Sequence, residues 1–257
     1  MSCHGARERQ SLEVVLTELP EAERYARVLL ARLGRVATRP PVADILDVGA
    51  AQGLFVTACA RLGQHAVGIE PWDEARLIAS EVADSVNVSV DMLDGVAERL
   101  SFADESFDIV RANSVIEHVA DASVAFREAY RVLRPGGVFW FLTASSLCPK
   151  QSEIRGFPAF GWYPDPIKLK IMDWAKTNRP DLIGHTERPA VHWFTPLKAR
   201  RMLRDVGFTR VYDRWDLRLP SEGGFLYRFA LSVVKLNSIT KLLADIAVPC
   251  CAYAAIK

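Results

Sequence analysis

ILDVGAAQGLFVTACARLGQHAVGIEP, residues 45–71, is the stretch from which the rest of the chain is read. Ala43 to Val48 is an apolar run broken only by acids, the pattern of a buried strand. Gly49 to Gly53 turns, Leu54 to Leu62 is helical, and Ala66 to Glu70 forms the next strand. Strand, turn, helix and strand in this order make a parallel βαβ unit. Glycines at 49 and 53 let the backbone turn tightly and let a ligand approach without a Cβ clash. The helix behind them points free N–H groups at that ligand. Glu70 ends the second strand, 23 residues after Asp47, where an acid can accept hydrogen bonds from a ribose diol. A dinucleotide turn needs glycine where this chain has Ala51 and Leu54, so the pyrophosphate fingerprint of an NAD(P)-dependent oxidoreductase is absent. No Gly-Lys-Ser/Thr follows, which removes a P-loop as well.

The alternation continues outward. Residues 11–35 read as one or two helices, with Tyr25, Val28, Leu29 and Leu33 on one face. After Glu70 come a helix over 73–83 and strands over 86–90 and 107–111. A helix over 121–133 is closed by Arg134-Pro135-Gly136-Gly137, and a strand over 138–142 follows. Residues 145–195 change character, with six prolines among aromatics such as Phe157, Trp162, Tyr163, Trp174 and Trp193. A stretch of that size without clear elements is usually functional. A helix from Thr195 to Val206, a strand over 209–217, an amphipathic helical region over 225–246 and a last strand over 250–256 complete the chain. The expected architecture is α/β and Rossmann-like: a mainly parallel seven-stranded sheet with helices on both faces and a lid insertion after the fifth strand. The expected organisation is a helical cap (1–40), a cofactor-binding half (41–144), a substrate lid (145–195) and a C-terminal part of the same domain (196–257) with an amphipathic insertion at 221–247.

Composition removes other classes. Of 257 residues, 50% are hydrophobic and 25% charged, with a net charge of +1, which excludes disorder as the main state. That near-zero charge hides an asymmetry: residues 1–144 carry a net −7 and residues 145–257 a net +8. A basic half can attract an anionic substrate, but no dense Lys/Arg run argues for nucleic acid. The five cysteines form no C-x-x-C pair, so a disulfide framework or structural zinc is not expected and a cytoplasmic setting is. The first residues lack the apolar core of a signal peptide. Lys235, Lys241 and Asp245 interrupt the apolar 225–246 stretch, so no membrane-spanning helix is expected, and contact with a membrane surface is the minor alternative to a core-packed helix.

Three runs, ILDVGAAQGLFVTACARLGQHAVGIEP, LSFADESFDIVRANSVIEHVAD (100–121) and REAYRVLRPGGVFWF (127–141), stand in an order and spacing that resemble the class I S-adenosylmethionine-dependent methyltransferases. The similarity is to the small-molecule subgroup related to ubiquinone and sterol methyltransferases. It covers about residues 43–143 and extends loosely through HWFTPLKARRMLRDVGF (192–208). The resemblance implies S-adenosyl-L-methionine as cofactor. It places Asp47, Gly49, Ala51 and Gly53 along its methionine half, Glu70 on the ribose hydroxyls, and Pro71 and Trp72 beside the adenine. Val96 and Ala97 fall on the adenine edge and Asn113 near the transferred methyl. Many relatives have Asp where this chain has Val96, and Asp94 is the substitute at hand.

Methyl transfer from a sulfonium needs chiefly alignment and desolvation, and a hydroxyl acceptor gains further from a general base. His118 and His192 are the candidates, each with a packing role as its alternative. Quinone O-methyltransferases of the resembling family hold a metal with a Glu-His pair and an acid three residues before it. Here that position is Ser114, so no metal is expected. The absence of Asn/Asp-Pro-Pro-aromatic after strand four argues against DNA bases and protein glutamine as acceptors. Trp162, Tyr163 and Trp193 are the candidate wall of a small-molecule pocket. Arg155 is a candidate anion contact, and Lys168 and Lys170 are expected to point to water. A module that binds the cofactor without catalysing transfer is the alternative to an enzyme.

Overall fold

The computed structural model describes residues 12–37, 40, 42–183 and 189–257. The elements run α1 (Leu12–Leu33), β1 (Asp44–Val48), α2 (Leu54–Arg61), β2 (His65–Ile69), α3 (Asp73–Ser85), β3 (Asp91–Leu93), β4 (Phe107–Asn113), α4 (Ala122–Val132), β5 (Leu133–Ala144), α5 (Asp165–Asn178), α6 (Pro196–Val206), β6 (Arg210–Asp213), α7 (Arg214–Leu217), α8 (Phe225–Val234), α9 (Ser238–Ile246) and β7 (Cys250–Ile256). The sheet has seven strands in the order β3-β2-β1-β4-β5-β7-β6. β7 is antiparallel to both β5 and β6, and every other pairing is parallel. The chain order reverses between β1 and β4, and ligands bind such sheets at that switch point, outside the carboxyl ends of the strands.

Strand periodicity sorts the core. Leu46, Val48, Val110, Ala112, Phe139 and Phe141 face α4 and α6, where Phe126, Ala199 and Leu203 close the layer. Ile45, Ile109, Val138 and Trp140 face α1 and α2, against Leu29, Leu33, Phe55 and Ala58. Asp47 and Arg111 lie on this second face, directly opposite each other in the β1–β4 register.

Four boundaries differ from the sequence expectation. The third strand is Asp91–Leu93, not 86–90, because Asn87 at φ 57° and the turn after α3 occupy the earlier residues. The sixth strand stops at Asp213, whose side chain accepts the N–H groups of Trp215 and Asp216 and so starts α7. Arg134 to Gly137 does not end an element but forms an irregular start of β5, with a register shift against β4. The amphipathic region is two helices, because Asn237 caps α9 by accepting from Ile239 and Thr240.

Residues 145–183 and 189–195 form a layer of their own beyond β5. α5 packs Met172 and Ala175 against Ile154, Phe160, Ile183, Ala190 and Trp193. Phe160 is its centre, with ring centroids 5.7 Å from Tyr163 and 5.8 Å from Trp193. Lys168 does not point to water: it is fully buried, bonds Asp165 at 3.3 Å and lies 4.9 Å from the Trp193 ring. Burial pulls its ammonium below the usual lysine range, and Asp165 opposes that.

Candidate active site

The turn after β1 is built for close approach. Gly49, Ala51 and Gly53 all take positive φ, at 70°, 51° and 67°. A Cβ on Gly49 would stand 2.4 Å from Val115 Cγ2, and one on Gly53 would stand 2.6 Å from Ala79 Cβ. Both positions therefore require glycine for conformation and for space. Gly53 is the N-cap of α2 and offers no side-chain acceptor, so the first N–H groups of that helix have no side-chain cap.

Glu70 faces this turn. It is buried, with Oε2 accepting from Ala51 N at 2.9 Å and Oε1 from Trp72 N at 3.3 Å. Arg76 donates to the Glu70 carbonyl and pairs with Asp73, which ties the start of α3 to the end of β2. Pro71 is half-buried and Trp72 exposed beside it. Val96 and Ala97 follow in a short bridge between Val96 and Arg99, and Ala97 is buried against the core. Asp94 is exposed and 3.4 Å from Arg76. Glu98 accepts from Ala120 N at 2.7 Å, which joins this segment to the loop carrying His118.

Beneath the turn lies a buried ion pair. Arg111 Nη1 stands 2.5 Å from Asp47 Oδ1, and both side chains are withdrawn from solvent. The guanidinium sits 4.0 Å from the Phe55 ring centroid, 5.6 Å from Tyr25 and 5.8 Å from Trp140. Burial pushes the Asp47 carboxyl up and Arg111 pulls it down. The guanidinium is always charged and in contact, so the two remain an ion pair. Tyr25, from α1, is raised by burial, an effect the neighbouring Arg111 opposes. Asp47 thus anchors the turn from the α1–α2 face.

At the carboxyl ends of β4 and β5, Asn113 is half-buried and Ser114 takes φ 56°, turning the chain into the 115–120 loop. Glu117 is fully enclosed and accepts from Thr143 Oγ1 at 2.8 Å. Burial pushes its carboxyl up to about 8. Its carbonyl accepts from Val191 N at 2.7 Å and His192 N at 3.2 Å, and Phe194 N donates to Ala144 O at 3.0 Å. The strip 190–194 therefore lies along the ends of β4 and β5 and brings His192 to the loop of His118. Burial, with Lys198 nearby, holds the His192 imidazole below its ordinary range, so it is neutral near pH 7. Its Nε2 is buried with no hydrogen-bond partner among the described residues.

The pocket-wall candidates separate. Tyr163 and the fully buried Trp193 share the cluster around Phe160, whereas Trp162 is exposed and donates Nε1–H to Leu147 O at 2.7 Å. His185, which its Gly-His-Thr setting in the sequence marks as a surface histidine, lies outside the described residues. Among the described residues no group of three or more His, Cys, Asp or Glu is placed to hold a metal ion. Sequence reasoning passed over Arg111 and Thr143. A lone arginine in the apolar strand Phe107–Asn113 was the signal available for the first.

Residues 46–141 match the family model described as a methyltransferase domain. Over 185 residues the chain is 37% identical to the ubiquinone biosynthesis O-methyltransferase of Agrobacterium fabrum, covering 71% of this chain and 70% of that one. The chain belongs to the class I S-adenosylmethionine-dependent methyltransferase family. The enzyme of the same description from Azorhizobium caulinodans is 40% identical over 94 residues, 37% of each chain, so the chain spans well under half of that relative. The S-adenosylmethionine-dependent methyltransferase of Mesorhizobium loti superposes with a TM-score of 0.57 at 16% identity, over 93% of this chain and all of that one, which shows the shared fold. The family's cofactor is S-adenosyl-L-methionine, and the residues fit it. Two glycines at positive φ, a helix N-terminus without a side-chain cap and the buried acid at the end of β2 meet at the switch point, the donors and acceptor such a cofactor uses.

Proposed function

We propose that this chain methylates a small-molecule acceptor at oxygen, and that the acceptor is anionic or lipid-linked. The observation that carries the reading is the Gly49–Gly53 turn with Glu70 bonded across it. The relatives named as ubiquinone biosynthesis O-methyltransferases support oxygen as the methylated atom. When bound, S-adenosylmethionine supplies an electrophilic methyl on a sulfonium, a strong leaving group. In this reading Gly49, Ala51 and Gly53 shape the methionine end, with Asp47 holding the turn from below. Glu70 takes the ribose hydroxyls, Pro71, Val96 and Ala97 border the base, and Asn113 stands beside the reacting centre. His192 is the general base, because it is neutral and its Nε2 has no hydrogen-bond partner among the described residues. His118 lines the same loop. Trp162, Tyr163 and Trp193 belong to the layer over the acceptor, and α5 orders it.

Calorimetric titration with S-adenosylmethionine and S-adenosylhomocysteine tests the site. Micromolar binding is expected for the wild type, and Glu70→Ala should weaken it by at least tenfold, the worth of about one charge-assisted hydrogen bond. A folded wild type that binds neither compound would overturn the reading. For the acceptor, transfer of labelled methyl to anionic and to lipid-linked hydroxyl compounds is the assay. His192→Ala should lower kcat by roughly 10²–10⁴-fold with cofactor affinity unchanged. The wild-type rate should fall on the acid side of neutrality as the imidazole protonates. An unchanged kcat would remove His192 from proton transfer.

A further inference from the structure

α8 and α9 are turned the wrong way round for a water-facing hairpin. On α8 only Leu231 is buried, while Phe225 and Leu226 are 80% and 79% exposed and Phe229 and Val233 are exposed beside them. At about 100° per residue these four side chains fill one arc of the helix, diametrically opposite Leu231. α9 has no buried residue, and Ile239, Leu242 and Leu243 form its exposed face. Its charged face is the one docked on the body. Lys241 bonds Asp216 at 2.5 Å and Asp213 at 3.1 Å, and Asp245 accepts from Trp215 Nε1 at 2.7 Å. Leu236, in the connection, is 71% exposed and makes the two faces continuous. An apolar surface of this extent marks an interaction site.

The charges beside it choose the occupant. Both acids of residues 221–247 are engaged with the body, Glu222 with Arg32 at 2.5 Å and Asp245 with Trp215. Arg228 is exposed on the flank of α8. An open cavity of about 500 Å³ lies beside the hairpin, lined by Arg35 and Lys235 together with Asp216 and the Glu222-paired Arg32. Cations flanking a Phe/Leu/Ile face suit anionic headgroups above acyl chains. A twofold contact between copies would bring the same cations together, which disfavours self-association. We propose that the α8–α9 hairpin is a docking surface for an anionic lipid bilayer, lying in its interface without crossing it. No helix among the described residues is long and apolar enough to span. The inference stands apart from the identity of the acceptor.

The test is flotation of the full chain with vesicles of phosphatidylcholine alone and with added phosphatidylglycerol. Wild type should float with the anionic vesicles, more weakly with neutral ones, and detach as salt is raised. Phe229→Glu and Ile239→Glu should each lower the vesicle partition roughly tenfold or more, as expected for withdrawing one large apolar side chain. Both positions are exposed, so the melting temperature and S-adenosylmethionine affinity should stay as in the wild type. Leu77→Glu, an exposed leucine on α3, should leave partition unchanged. Arg228→Glu with Lys235→Glu should erase the preference for anionic vesicles. Failure of the wild type to float, equal partition by Phe229→Glu, or a dimer in sedimentation that Phe229→Glu dissociates without any vesicle binding would each overturn the proposal.

Discussion

Arg111→Met should destabilise the protein by about 3–5 kcal/mol, the range for removing one partner of a buried ion pair. For a chain of this size that is a fall in Tm of roughly 6–20 °C. Methionine keeps the length of the side chain and its fit among Phe55, Tyr25 and Trp140, so the lost term is the charge. Asp47 is left with no solvent access, and its Oδ2 already lacks a hydrogen-bond partner among the described residues. The double variant Asp47→Leu/Arg111→Met should recover most of the loss, because replacing both charges removes both desolvation costs. Thermal unfolding of the two single variants and the double variant gives the coupling directly. An Arg111→Met protein within about 1 kcal/mol of wild type would show that the pair does not anchor the turn. Because Asp47 holds the base of the Gly49–Gly53 turn, cofactor affinity should fall in Arg111→Met together with stability.

Glu117→Gln should make the protein more stable at alkaline pH. The Glu117 carboxyl is pushed up to about 8 by burial, opposed in part by the Thr143 hydroxyl and reinforced by Glu153. Above its unfolded value the folded state holds a proton that the unfolded state has lost, so wild-type stability falls as pH rises from about 4.5 to about 8 and then levels off. The full span is at most about 4–5 kcal/mol. Glutamine is isosteric, its Oε1 can still accept from Thr143, and it carries no charge to desolvate. Its Tm should equal that of wild type near pH 4.5 and exceed it increasingly towards pH 8. Parallel Tm–pH curves for the two proteins would show that Glu117 ionises freely and that its enclosure is not as described. Glu153, itself raised by burial, is the neighbouring titrating group, and Glu153→Gln should flatten the curve by less.

The fold was legible because its signals are local. Each apolar strand run is short, each turn carries its glycine or cap, and the period changes where the elements change. The turn at 49–53 could be read without a partner in view, since positive φ at Gly49 and Gly53 is a property of the turn itself. Errors fell where a long-range contact sets a boundary. Asp91 to Leu93 becomes the third strand by pairing with Val67 to Ile69, whereas the end of the sixth strand is set locally, by the Asp213 side chain accepting from the N–H groups of Trp215 and Asp216. Lys168 is read as a solvated lysine on any helix, and burial under Trp193 depends on how the inserted layer closes.

The sequence alone carried a nucleotide-cofactor turn, because a strand-end Asp, two spaced glycines and a strand-end Glu lie within one βαβ unit and need no distant partner, and the resemblance of three runs to the class I methyltransferases implied S-adenosylmethionine. Tertiary structure decided the rest. The opposition of Asp47 to Arg111 follows from the β1–β4 register, and the enclosure of Glu117 from the 190–194 strip laid across it. The outward apolar face of α9 follows from Asp213 and Asp216 claiming Lys241 on the inside. Helical periodicity shows that a helix has two faces, but which face meets water depends on what the folded body offers it.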